Sequence, residues 1–291
     1  MAGIDDRDTD EPHAALAVGP LGELAREPSA YRWLRTAGWG FARVFSLVAL
    51  AVAWELAARS GAFTPYMLPA LSAVLERIWS DLIAGDLVVN TGETLYRAFA
   101  GFLIGAVAGI ALGMGISRNR FTHWFFDPII SVGFPMPKIA FLPVVMLWLG
   151  VYDMSKITMI AVEAIFPVVT ATIVGIRGVE RELLWSARNM GATERELLWQ
   201  IALPAALPQI ITGLQVALPI ALIVAIVTEM FMGGYGLGGA MNTASRFADS
   251  RGVFAVIVEI AVIGYALVKG VMLVRRRLLL WHQEALAPST V

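Results

Sequence analysis

Apolar residues in this chain gather into runs of about twenty, the length a helix needs to cross a bilayer, with polar residues collected between them. Such spans are predicted near residues 43–60, 96–117, 124–150, 157–176, 208–232 and 252–274. The second and fifth are the clearest, because Ala98 to Ser117 and Leu197 to Thr228 contain no charged residue. Glu55 interrupts the first and Lys138 the third. The pattern predicts an all-α membrane protein with six transmembrane helices.

Composition agrees: 58% of the 291 residues are hydrophobic and 15% charged, with a mean hydropathy of +0.70, values outside the usual range of soluble domains. A net charge of −1 argues against nucleic acid as a partner, and the absence of cysteine excludes disulfides, thiolate metal sites and cysteine nucleophiles. Residues 1–40 are rich in Asp and Glu (Asp5, Asp6, Asp8, Asp10, Glu11, Glu23 and Glu27) and lack the basic start and apolar centre of a signal peptide. They read as a polar cytosolic tail. Residues 41–90 then hold the first span and a loop, 91–275 the main transmembrane domain, and 276–291 a C-terminal tail.

Lys and Arg set the orientation. With the N-terminus inside, Arg7, Arg26, Arg32, Arg35, Arg43, Arg118, Arg120, Arg177, Arg181, Arg188, Arg195, Arg275, Arg276 and Arg277 fall in cytosolic segments. Only Arg59, Arg77, Arg97, Lys156, Arg246 and Arg251 fall outside. Both termini are therefore expected in the cytosol, together with a polar insert at 177–207.

That insert is rich in Leu, Glu, Arg and Ala, all good helix formers. Gly191 breaks it, and Thr193 with Glu196 has the spacing of a capping box that starts a second helix. Leu197, Leu198, Trp199 and Ile201 give this second helix more apolar surface than a solvated loop should show. It either lies on the inner leaflet or docks on a partner.

The spacing of Ala187, Gly191, Ile201, Leu203 and Pro204 resembles the EAA loop by which permeases of bacterial ABC importers dock onto their ATPases. Trp185 and Ser186 depart from it, standing where Glu and Ala are usual. Pro135 to Pro143 with Trp148-Leu-Gly150 resembles the third span of permeases for nitrate, sulfonate and taurine, and Pro208 to Glu229 with Gly236-Leu-Gly238 their fifth span and turn. The resemblance covers roughly residues 90–275. It implies a type I ABC importer permease fold in the bacterial inner membrane, a homodimer, and an ATPase contact made by Ala187, Gly191, Ala192, Thr193, Glu196, Ile201, Leu203 and Pro204. It also implies a solute-binding protein on the outer face and alternating access driven by ATP and Mg held on two copies of a separate ATPase chain. No G-x-x-x-x-G-K-[ST] phosphate loop occurs in this chain, which is expected to bind no cofactor itself and to be no enzyme.

Gly101, Gly105, Gly109 and Gly113 recur every four residues, on one helical face that another helix can approach closely, within the subunit or across a dimer. Ionisable residues at membrane depth are costly and mark candidate sites: Lys138, Glu163, Glu229 and Glu259, with Glu55 and Lys269 nearer an interface. Lys138 follows Pro135 and Pro137, whose missing N–H groups free backbone carbonyls. It suits either an anionic substrate or an ion pair with Glu163 or Glu229. Glu229 fits a structural or gating role by resemblance. A small organic or inorganic anion such as a sulfonate, nitrate or carboxylate is the expected cargo, with heterocycles carried by similar permeases.

Other classes fit less well. Gly233 to Gly239 contains G-Y-G, as in a potassium filter, but Met232 and Gly233 replace the filter's threonine and valine, so a turn is expected. His13, His123 and His282 are too scattered for a metal site. The main rival is an ion-coupled secondary transporter using Glu163, Glu229 and Glu259, which leaves the insert without a role.

Overall fold

The computed structural model describes residues 45–279. The acidic tail, His13 and His282 lie outside them, as does the start of the predicted first span. Residues 45–59 are helical (α1), and within them, at Ala57, begins the larger of two compact units. That unit contains α2 (Leu71–Ala84), α3 (Asp86–Arg118), α4 (Arg120–Gly133), a 3-10 turn (Lys138–Phe141), α5 (Leu142–Leu149) and α6 (Asp153–Arg177). It continues with α7 (Arg181–Asn189), α8 (Glu194–Glu196), a π-helical stretch (Leu197–Ala202), α9 (Leu203–Met232), α10 (Leu237–Arg246) and α11 (Ser250–Leu278).

Four of these are long and apolar enough to cross a membrane: α3, α6, α11 and the continuous helix Glu194–Met232. In α6 and in Glu194–Met232 half of the apolar window is buried, against 11% in α11, so α6 and α9 form the centre and α11 the margin. Between α3 and α6 the four glycines leave no side chains. A Cβ added to Gly101, Gly105, Gly109 or Gly113 would come within 2.5 Å of Ile160, 2.7 Å of Ala164, 2.9 Å of Val168 or 2.6 Å of Thr172. These distances are below van der Waals contact, so α3 lies against α6 almost backbone to backbone.

Two predicted spans differ from expectation. The third, 124–150, is not one helix: α4 and the Lys138–Leu149 segment meet at 92°. Pro135 and Pro137 remove two backbone donors in the intervening turn, and an α-helix cannot continue through them. The fifth begins earlier than 208, because the second helix of the insert runs unbroken into it. Pro204 and Pro208 do not stop it. Pro204 sits in the first turn of α9, and directly before it the helix widens into the π stretch, which eases the clash between a proline ring and the carbonyl four residues back.

Candidate functional site at the insert and the buried charges

α7 ends in a Schellman motif: the Ala192 N–H bonds the Ala187 carbonyl at 3.0 Å and the Gly191 N–H bonds the Arg188 carbonyl at 2.9 Å. Gly191 supplies the left-handed residue, φ +90°, with nothing within 4 Å of where a Cβ would stand. Thr193 then caps α8. Its hydroxyl accepts the Glu196 N–H, and the Glu196 carboxylate accepts the Thr193 N–H at 2.8 Å, completing the capping box. These backbone and hydroxyl bonds hold the Glu196 carboxyl below its usual range. Arg188 and Glu194 pair across the turn at 3.0 Å.

The insert buries few of its side chains and turns most of its largest ones outward. Ala187 and Leu197 are buried, whereas Met190 is 82% exposed, Trp185 56% and Trp199 52%. Ile201 and Leu203 are half-buried and Pro204 is exposed. The turn therefore presents an apolar, sharply bent surface beyond the ends of α3 and α6.

At the opposite ends of the same helices lies a buried charge cluster. Glu229 on α9 is fully buried. One carboxylate oxygen accepts from Arg97 Nη1 at 2.7 Å, and the other from Thr94 Oγ1 at 2.8 Å and the Gly238 N–H at 3.1 Å. Arg97, also buried, bonds Asp153 at 2.7 Å, Glu93 at 3.0 Å and the Tyr235 carbonyl at 2.6 Å. Lys156 is buried beside them and donates to the Gly233 carbonyl at 2.9 Å. The Gly233 to Gly239 turn wraps this cluster. Gly236 has φ +124°, and a Cβ there would collide with the Glu229 carboxylate.

Glu229 was the only member of this cluster that the sequence singled out. Arg97 and Lys156 read there merely as outer charges. The available signal was spacing: Glu93 and Arg97 extend the four-residue series of Gly101, Gly105, Gly109 and Gly113 by two steps.

Lys138 is held in another way. Its ammonium donates to the carbonyls of Gly133 at 2.9 Å and Met136 at 3.2 Å, lies 3.1 Å from the Glu163 carboxylate and sits over the Phe166 ring at 4.4 Å. Of the two roles open to it, the geometry provides the ion pair, with Glu163. Its side chain caps the carbonyls of the bend that its neighbouring prolines create. The structure thus joins Lys138 to Glu163 and keeps both apart from Glu229, whose base is Arg97. Glu259 is 7% exposed, and its Oε1 has no hydrogen-bond partner among the described residues. Lys269 lies over Tyr265 at 5.4 Å.

Residues 101–278 match the family described as binding-protein-dependent transport system inner membrane component. The chain is 32% identical over 247 residues to a putative aliphatic sulfonates transport permease protein of Bacillus subtilis, covering 85% of this chain and 89% of that one. It is 30% identical over 250 residues to a taurine transport system permease protein of Escherichia coli, with 82% and 89% covered. It is 29% identical over 237 residues to a riboflavin transport system permease protein of Chloroflexus aurantiacus, with 81% and 88% covered. In fold it resembles a chain of the MetNI methionine ABC transporter in an inward-facing conformation, at 18% identity and a TM-score of 0.60, covering 68% of this chain and 98% of that one. The match sets the secondary-transporter reading aside. A polar helical insert joined without a break to an apolar span, on a type I fold, belongs to a subunit that transports and leaves ATP hydrolysis to another chain: this protein is a member of the binding-protein-dependent inner membrane components, the permease subunits of ABC importers.

Proposed function

We propose that this permease carries a small organic anion, with sulfonates the leading class, as one of two identical copies. Each insert seats its 190–191 turn in a groove of one of two ATPase subunits. Both termini lie in the cytosol, and a solute-binding protein delivers cargo to the opposite face. The sulfonate and taurine relatives support the cargo class. The basic residues at 118–120, 177–195 and 275–277 support the orientation. ATP and Mg belong to the ATPase in this reading.

The observation that carries the coupling role is the exposed turn itself. Three large apolar side chains, Trp185, Met190 and Trp199, stand outward around a glycine whose Cβ position faces open space. The chain has no native cysteine, so Met190→Cys gives one thiol on a clean background. Oxidative or short-linker cross-linking of that thiol to cysteines placed around the groove of a co-expressed ATPase is the expected result. Gly191→Asp should abolish uptake of labelled taurine or an alkanesulfonate while the protein stays in the membrane. Absence of any cross-link, together with unimpaired uptake in Gly191→Asp, would overturn the assignment. Riboflavin uptake in place of sulfonate uptake would move the cargo to the heterocycle class.

A further inference from the structure

A crevice of about 300 Å³ opens where α3 and α6 meet the insert, with Arg118, Arg177 and Arg181 on its border. Arg118 ends α3, Arg177 ends α6 and Arg181 begins α7. All three are exposed, and none forms an ion pair or side-chain hydrogen bond among the described residues. The fourth arginine there, Arg188, is already neutralised by Glu194 at 3.0 Å. Glu180 and Glu182 flank Arg181 in the chain, but neither lines the crevice.

The charge does not cancel locally. Two helix C-termini, those of α3 and α6, each present roughly half a negative charge, which offsets about one of the three positive charges. About two remain, on guanidinium groups whose planar donor pairs match phosphate oxygens. Apart from Ser117 and the Arg188–Glu194 pair, the rest of the lining is apolar, and Val179 and Leu197 in it are buried. The crevice lies where the apolar windows of α3 and α6 end, at the level of a membrane surface. A basic rim over an apolar floor suits a group with a charged head and a hydrocarbon body.

We propose that this crevice binds a phosphate group, presented by an anionic phospholipid headgroup with its acyl chain along the apolar lining. The inference rests on the reading above only in placing this end of the helices at a membrane surface. Occupied, the site pins the root of the insert to the ends of α3 and α6, so that the insert moves with those helices instead of hinging on the 178–180 connection.

The test uses the full-length transporter, delipidated in mild detergent and offered phosphatidylglycerol, phosphatidylcholine or inorganic phosphate, with binding read by native mass spectrometry. Wild type should retain phosphatidylglycerol over phosphatidylcholine. Arg118→Gln, Arg177→Gln and Arg181→Gln should each weaken it about fivefold and the triple variant far more, while Arg251→Gln, in the first turn of α11, leaves it unchanged. Displacement of phosphatidylglycerol by inorganic phosphate would confirm the phosphate chemistry and assign it to the free ion. Equal retention of phosphatidylglycerol by wild type and the triple variant would overturn the proposal. So would a triple variant that keeps its lipid but loses the Met190→Cys cross-link, since the arginines would then serve the ATPase. An arginine-dependent lipid site in a transporter that gives no cross-link would leave this inference standing and remove the coupling assignment.

Discussion

Removing Arg97 would take from the fully buried Glu229 its ion-pair partner and leave only the bonds from Thr94 and the Gly238 N–H, the costly way to break a buried pair. Arg97→Met should therefore lower stability by about 3–5 kcal/mol, measured by thermal unfolding in detergent, and combining it with Glu229→Met should recover most of the loss. A single variant as stable as wild type would mean that the cluster is not holding α3, α9 and the glycine turn together. At the insert, Thr193→Ala should speed amide exchange at the start of α8 roughly fivefold. The Glu196 carboxyl, held low first by the Thr193 backbone N–H and then by its hydroxyl, sets the pH limit of the same cap. Its contribution is complete above the ordinary value of 4.5 and is lost only as pH falls through the lower folded value. Exchange at this turn should thus be flat from neutral pH to about 4.5, once corrected for intrinsic rates, and rise below it. Both halves of this cap were legible in T-x-x-E, because a capping box is local. Arg97 was not, because its partners Asp153 and Glu229 come from other helices.

Between elements, the four-residue glycine series made a close helix contact readable in advance, but not its partner, which turns out to be α6. Gly105→Leu should force α3 away from the Ala161 carbonyl and Ala164, at about 1–3 kcal/mol for overpacking. Gly115→Ala, with nothing within 4 Å, should be neutral or slightly stabilising in the same unfolding assay. Equal effects at the two positions would show that glycine is needed on α3 for flexibility and not for approach. The proline pair ahead of Lys138 signalled an opened backbone, yet hydropathy alone joined the two sides into one span. The 92° bend depends on how Lys138 finds the freed carbonyls and Glu163, which no window of sequence contains. The π stretch was hidden for a related reason: Leu203-Pro204 looks like an ending, whereas the widened turn at Leu197–Ala202 lets the helix run on through Pro204.

For the molecule as a whole, α3, α6 and α9 are clasped at one end by Arg97 and Glu229, run together along the glycine face, and at the other end carry the insert. Displacement of the insert is thereby delivered to a body already tied at its far end. Lys138 belongs to that body. Since its ammonium is engaged by Glu163 and the bend's carbonyls, Lys138→Met should depress uptake and ATP hydrolysis to the same degree in reconstituted vesicles. A selective loss of uptake would instead return Lys138 to the substrate path.

The clasp also imposes an order on biosynthesis. Arg97 and Glu229 are 132 residues apart, so α3 leaves the ribosome long before α9 exists, and Arg97 enters the bilayer with Glu93 of its own helix but without Glu229. Final docking has to wait until translation has passed the glycine turn. A chain ending before residue 229 can still offer Glu93 and Asp153 to Arg97, but it lacks the one fully buried carboxylate of the cluster and the glycine turn that closes over it.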